Sequence, residues 1–587
     1  MIGDRTTLPE LLERAARHDD VGLRFVDVAE RAEWYPWSAV RNRALDACGL
    51  LQARGVSPGD RVALVLPTSI EFFDAFFGVL LAGAVPVPLY PPVRLGRLDE
   101  YMARTARMLE LVQAPIVVTD RRVRRLLGQA VAAARPRLGC VVLDELPAGT
   151  LRPQTVEPAD LALVQFSSGA TVDPKPVALS HRAVVAQTLR LNGFWPQPAG
   201  RAVDSGVSWL PLYHDMGLIG CVLPALEHPG TLTLIPPELF LARPALWLRT
   251  ISRYRATISP APNFAYGLCL DRVQDGELDG VDLSCWRVAL NGAEPAAPRV
   301  LRGFIERFAR WGFSPAAMTP VYGLSEAALA VTFSDLDAPF ESRRFDRERL
   351  AREGRAVETA DGVELVALGS PLPDFALQIV DDDDRELGPG RVGRLLVSGP
   401  SLMDGYLDQP EATAAVLRDG WLDTGDLGFL YDRQLFLTGR AKDVLILRGR
   451  NHSPHEAEDA VAAVPGVRAG CAVAVSWLPD GDTGERLLLL VEARRDVAPA
   501  EYERIATECA AAARAAAGLH PDLVEVLAPG TLPRTSSGKL RRRETLRRWL
   551  AGELGPPAAV TPLRMLAAAA RSRLALAKLR LEPDERP

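Results

Sequence analysis

Residues 161–181 read LALVQFSSGATVDPKPVALSH. An apolar run ends at Phe166, and a helical pattern begins near His181. Ser167, Ser168, Gly169, Thr171 and Lys175 lie between them. Hydroxyls, a glycine and a lysine between strand and helix are what polyphosphate binding needs: donors that converge and a backbone that a ligand can approach closely. The segment is not the GxxxxGK[ST] loop, and no GxGxxG follows a strand, so a Rossmann cofactor has no support. Taken alone, it fits an ordinary Ser/Gly-rich turn equally well.

Outward from this segment, strand and helix patterns alternate. Arg61–Leu66 is a short apolar run followed by an amphipathic stretch through Leu81. Ala114–Thr119 precedes a basic helical stretch, and Cys140–Leu143 is another strand candidate. Strands spaced by helices predict parallel sheets with crossover connections, an α/β fold. No repeat recurs at a fixed period. Near Gly439–Asp443 the pattern changes to a smaller α+β unit: a strand at 443–447, a helix from Pro454, strands near 471–475 and 486–492, and an Ala-rich helix from Ala500. The expected division is a large unit over 1–440, a small mobile unit over 441–552 and a basic helical tail over 553–587, set off by Gly555-Pro556-Pro557. From Leu563 to Arg580 the tail carries five basic residues and no acid.

The chain has 587 residues, 48% hydrophobic and 24% charged, so a disordered or fibrous chain is excluded. The net charge of −6 argues against a protein-wide nucleic-acid footprint. The longest apolar stretch, Ala75–Val85, falls short of the roughly 20 residues of a membrane helix. The first twenty residues mix acids and bases with no apolar core, so no secretory signal is visible. Seven cysteines are scattered singly, which supports neither a disulfide framework nor a zinc ribbon. A reducing cytoplasmic setting is expected.

Five further segments carry candidate chemistry. In WLPLYHDMGLI (209–219), His214 and Asp215 interrupt an apolar run; a lone histidine there is more often a core or cap residue. VYGLSE (321–326), with NGAEP (291–295) before it, places an aromatic, a hydroxyl and a carboxylate in one strand-end turn, able to stack a base and hold a metal. In GWLDTGDLG (420–428), Asp426 between glycines can accept from both ribose hydroxyls, as the acidic residue of dinucleotide sites does. LTGRAKDV (437–444) and RGRNHSP (448–454) lie at the proposed junction, where a basic solvated linker is the simpler reading. LPRTSSGKL (532–540) ends on Lys539.

In order and spacing these segments resemble the adenylate-forming superfamily of acyl-CoA synthetases, luciferases and peptide-synthetase adenylation domains. Fatty acyl-AMP ligases are the nearest likeness, over about residues 7–550. The strings PVPLYPP (86–92), WLPLYHDMGLIG (209–220), FLARPALWL (240–248), ISPAPNFAYGLC (258–269) and RGRNHSPHE (448–456) carry it. The resemblance implies attack of a carboxylate on the α-phosphate of ATP, giving acyl-AMP and pyrophosphate. It implies that Ser167, Ser168, Gly169, Thr171 and Lys175 line the phosphate loop and that Glu326 holds Mg²⁺. Tyr322, Gly323 and Ser325 belong to the same nucleotide site, where Tyr322 and the Gly292-Ala293-Glu294 turn would frame the adenine. Asp426 and Arg440 would bind the ribose, the hinge would fall at Lys442–Asp443, and Lys539 would act with His214 and Glu326 at the reacting atoms.

Residues 335–368 read as an insertion with a charged helical stretch. In acyl-AMP ligases a comparable insertion goes with loss of CoA use, and the acyl group passes to the phosphopantetheine thiol of an acyl carrier protein. A tolerated surface loop is the simpler alternative. The family's phosphate loop has glycine where this chain has Val172 and Pro176, a departure expected to stiffen it. Two other functions stay open: an acyl-CoA synthetase sharing the first half-reaction, and an impaired homologue serving as a scaffold. The basic residues Arg541–Arg543, Arg547 and Arg548 are either a solvated helix face or a dock for an acidic carrier protein.

Overall fold

The structure, a computed structural model, describes residues 6–92, 95–147, 151–167, 174–195, 204–447, 450–479, 485–535 and 538–581. The expected α/β alternation is present. Val85–Pro88, Arg61–Val65, Ile116–Thr119 and Cys140–Val141 form one all-parallel sheet in that order. The long apolar stretch divides in two. Ile70–Leu81 is a helix buried at every residue but Glu71, and Gly83, at φ +71°, turns the chain into the strand Val85–Pro88. A helix this apolar must be enclosed by other elements, and its one buried charge, Asp74, is paired with Arg43. Here Trp37–Ala53 lies against it so closely that a Cβ at Gly78 would stand 2.8 Å from that of Ala47.

Aromatic side chains fix the middle of the chain. Trp209 stacks on Phe240 at 3.9 Å between centroids, and Trp247 packs edge-on to Tyr266 and Trp286. Trp247 Nε1 donates to Ser259 Oγ at 2.8 Å, so the one polar atom of that buried ring is satisfied. This core supports the edge on which Ala289–Asn291 pairs in parallel with Met318–Gly323.

Leu161–Phe166 and Pro176–Ser180 form an antiparallel hairpin whose tip is the Ser/Gly-rich loop. Gly405–Tyr406 adds a third strand, with Tyr406 opposite Val177. Pro176 therefore opens a strand, a position where its missing N–H is tolerated, and lies five residues before the helix His181–Phe194 rather than at its start. Its carbonyl accepts from Leu407 N at 2.8 Å.

The insertion is more than a loop. Ser342–Phe345 pairs with Val363–Val366, the helix Arg347–Glu353 lies between them, and buried Phe345 packs edge-on against Phe429 and Phe436. Arg347 reaches out of it to Glu456 Oε2 at 3.0 Å and to the carbonyl of Ala516 at 2.6 Å.

Beyond residue 445 the chain builds cores of its own. Val467–Trp477, Arg486–Ala493 and Leu523–Leu527 form a sheet under the helices Pro454–Val461 and Tyr502–Ala517. Two sequence expectations are corrected here. Arg541 is buried and Arg542 is enclosed, with its guanidinium on Glu458 at 2.5 Å and Asp443 at 3.4 Å, so neither offers a solvated basic face. The tail does not stand off. Its helix, Pro562–Leu581, packs across Arg121–Ala134, where Ser572 Oγ accepts from Gly128 N at 2.8 Å. A Cβ at Gly128 would come within 2.1 Å of the Ser572 carbonyl oxygen, so glycine is what allows the contact. Among the described residues no helix is long and apolar enough to cross a membrane.

Candidate functional site

The hairpin, the Met318–Gly323 strand end and the Lys539 loop meet at one cavity of about 860 Å³, its open mouth included. Ser167, His214, Gly292, Ala293, Tyr322, Gly323, Ser325, Glu326, Arg440 and Lys539 all line it. Ser168, Gly169, Thr171 and Val172 lie outside the described residues. The neck of their loop is closed by Ser167 N donating to Lys175 O at 2.9 Å.

Glu326 follows the strand end. Tyr406 Oη donates to its Oε1 at 2.9 Å, and its carbonyl accepts from Met403 N at 2.8 Å. The second carboxylate oxygen, Oε2, has no hydrogen-bond partner among the described residues. Lys175 Nζ sits 4.3 Å from the Tyr406 ring centroid; burial lowers its pKa, and Glu326 pulls it back up. Among the described residues no group of three acidic, histidine or cysteine side chains could hold a metal. One oxygen left open on a cavity-facing carboxylate fits Mg²⁺, which takes few protein ligands and keeps phosphate and water oxygens.

His214 caps the short helix Asp215–Gly217 and lies 2.6 Å from Asp215 Oδ1 through Nδ1. Its Nε2 is buried with no partner among the described residues. Ser325 donates to the other oxygen of Asp215. Burial alone would raise the Asp215 carboxyl, but His214, Ser325 and Lys539 together hold it far below the carboxylate range. Lys539 arrives from the far end of the chain on a loop closed by Thr535 N donating to Lys539 O at 2.8 Å. Burial lowers its pKa, and Asp215 is the largest influence in the other direction.

Asp426 and Arg440 face each other across an antiparallel pair, and Arg440 Nε donates to Asp426 Oδ1 at 3.1 Å. Tyr322 Oη donates to Oδ2 at 2.7 Å. Gly323 is required by packing: a Cβ would meet Leu329 O at 1.8 Å. Ala293 turns at φ +66°. Glu294 departs from its neighbours: it does not line the cavity, and its carboxylate accepts from Phe264 N at 3.0 Å. Leu191, Trp195, Leu290, Leu329 and Phe333 give the cavity an apolar side.

Tyr406 and Asp215 join the site only through the fold. Asp215 had a signal, its place beside His214. Tyr406 had only the Gly-Tyr pair of a two-residue strand.

The AMP-binding enzyme family model matches residues 12–407. A Caulobacter vibrioides protein provisionally named an acyl-CoA synthetase is 37% identical over 568 residues, covering 94% of this chain and 97% of that one. A long-chain-fatty-acid–AMP ligase of Mycobacterium marinum is 35% identical over 582 residues, covering 93% and 98%. A solved structure from a study of the fatty acyl-adenylate ligases of E. coli and L. pneumophila superposes with a TM-score of 0.85 at 34% identity, covering 93% and 98%. The chain belongs to the AMP-binding enzyme family. Its full-length matches place it in the fatty acyl-AMP ligase branch of the adenylate-forming superfamily.

Proposed function

We propose that the protein activates a medium- or long-chain fatty acid as its acyl-AMP and passes the acyl group to the phosphopantetheine thiol of an acyl carrier protein. The observation that carries this reading is the meeting of Lys539 with Glu326, His214 and Arg440 on one cavity that also has an apolar side. A carboxylate oxygen attacks the α-phosphorus of ATP, the bond to the bridging oxygen of pyrophosphate breaks, and acyl-AMP forms. The two reactants are both anionic. A buried ammonium at the point of approach offsets their repulsion where charge builds up, and electrostatic terms act most strongly there. In the second step the thiol sulfur attacks the acyl carbon, AMP departs and the thiol proton is lost.

The remaining roles follow the geometry. Ser167, Ser168, Gly169, Thr171 and Lys175 would hold the polyphosphate. Glu326 would hold Mg²⁺ through Oε2, where the ion would supply neutralisation of the charge on pyrophosphate. The Gly292–Ala293 backbone and Tyr322 would frame the adenine, with Glu294 bracing that turn from behind. Asp426 carries Tyr322 and Arg440, yet each carboxylate oxygen keeps a lone pair for a ribose hydroxyl. His214 Nε2 would meet the substrate carboxylate. The hinge for domain movement would lie at Lys442–Asp443.

The insertion supports the choice of acceptor. Through Arg347 it holds Glu456 and Ala516, an attachment that restrains how the small unit turns to admit a thiol. With ATP, Mg²⁺ and a panel of fatty acids, the protein should release pyrophosphate, load a carrier protein and form little acyl-CoA. Efficient acyl-CoA formation would overturn the acceptor and favour a synthetase.

A further inference from the structure

Lys175 and Glu326 carry opposite charges and lie near one another, Glu326 on the cavity and Lys175 outside its lining, yet no ion pair joins them. Tyr406 stands between. Its ring takes the Lys175 ammonium at 4.3 Å, and its hydroxyl donates to Glu326 Oε1 at 2.9 Å. We propose that Tyr406 is the positioning residue of the adenylation site: it keeps the phosphate-binding cation and the metal-binding carboxylate apart, with Oε2 of Glu326 left open to a ligand. This rests on the adenylation reading above.

A direct lysine–glutamate pair would compete with Mg²⁺ and polyphosphate for both groups. A phenol avoids this because its two parts have different chemistry. The π face attracts a cation without neutralising it, and the hydroxyl satisfies one carboxylate oxygen without supplying charge.

The side chain is held firmly enough to act this way. Tyr406 is 6% exposed, its N–H donates to Thr413 Oγ1 at 2.9 Å, and its strand pairs with the strand that leaves the phosphate loop. The same segment grips Glu326 and the residue next to Lys175 through the backbone. Met403 N donates to Glu326 O, and Leu407 N to Pro176 O, each at 2.8 Å.

Two variants separate the ring from the hydroxyl. Tyr406→Phe keeps the ring and should raise the Mg²⁺ concentration for half-maximal pyrophosphate release about tenfold, the scale of losing a partner behind a metal ligand. Its KM for the fatty acid and its affinity for ATP without Mg²⁺, measured by calorimetry, should not change. Tyr406→Leu should show the same Mg²⁺ shift and also bind metal-free ATP about two- to fivefold more weakly, because Lys175 loses its support. The proposal is overturned if Tyr406→Phe matches wild type in Mg²⁺ dependence. It is also overturned if both variants lose affinity for every ligand alike, with a lowered melting temperature, which would make Tyr406 structural only. Absence of pyrophosphate release by the wild type would instead refute the adenylation reading.

Discussion

Ser325 donates its hydroxyl to Asp215 across 110 positions of sequence, tying the turn before Glu326 to the helix capped by His214. That bond keeps an ionised carboxylate buried opposite Lys539. Replacing Asp215 with Asn preserves an acceptor for Ser325 but removes the charge. Lys539, already lowered by burial, then loses its main counterweight and its pKa falls further. The reaction needs the ammonium, so its alkaline limb should move to lower pH. The rate at neutral pH should fall by about 10²-fold, the scale of losing one preorganised contact. An unmoved alkaline limb in Asp215→Asn would show that the two groups act independently.

His181 accepts from Leu8 N at 3.2 Å and is 1% exposed; burial pushes its pKa down to about 4, against a slight pull upward from Asp160. The folded state holds the neutral ring, whereas the unfolded chain protonates near 6.5. Stability from this group is therefore complete above pH 6.5 and is lost as pH falls from there to about 4. The loss amounts to about 3 kcal/mol. Melting temperature against pH should decline over that window in the wild type and less steeply in His181→Gln. Equal slopes would place the acid sensitivity elsewhere.

Arg542 is an internal tie, not a docking residue, with Glu458 and Asp443 around it. Arg542→Glu would gather three carboxylates in one enclosed place and cost about 3–5 kcal/mol. Pyrophosphate release and carrier loading should fall together with the melting temperature. The exposed Arg573→Glu on the tail helix should leave stability within about 0.5 kcal/mol of wild type. Slowed loading with normal stability in Arg542→Glu would restore the docking role.

The chemistry-bearing turns were legible because each breaks a pattern: Ser167 where a strand stops, Lys175 just before the next begins, Glu326 at another strand end, Lys539 on a Ser/Gly loop. Contacts between distant segments were not. Nothing near Tyr406 marks it, since its role comes from pairing with a strand more than 200 residues earlier. Arg541 and Arg542 look like part of a solvated face with Arg543, because a sequence does not show that Arg541 is buried or that Glu458 and Asp443 lie against Arg542; only Arg543 of the three is exposed. The tail's docking depends on Gly128 and Ser572, 444 positions apart. The insertion declared its charge but not Phe345, whose burial makes it a packed element.

The central claim is that Lys539 completes an adenylating site, and it is tested most directly by pyrophosphate release from ATP, Mg²⁺ and fatty acid in wild type and Lys539→Ala. Circular dichroism of both proteins would verify the fold. The wild type should release pyrophosphate in proportion to acyl-AMP formed, and the variant should be slower by on the order of 10²–10³. Equal rates in the two proteins, or no release by the wild type with any fatty acid, would contradict the account.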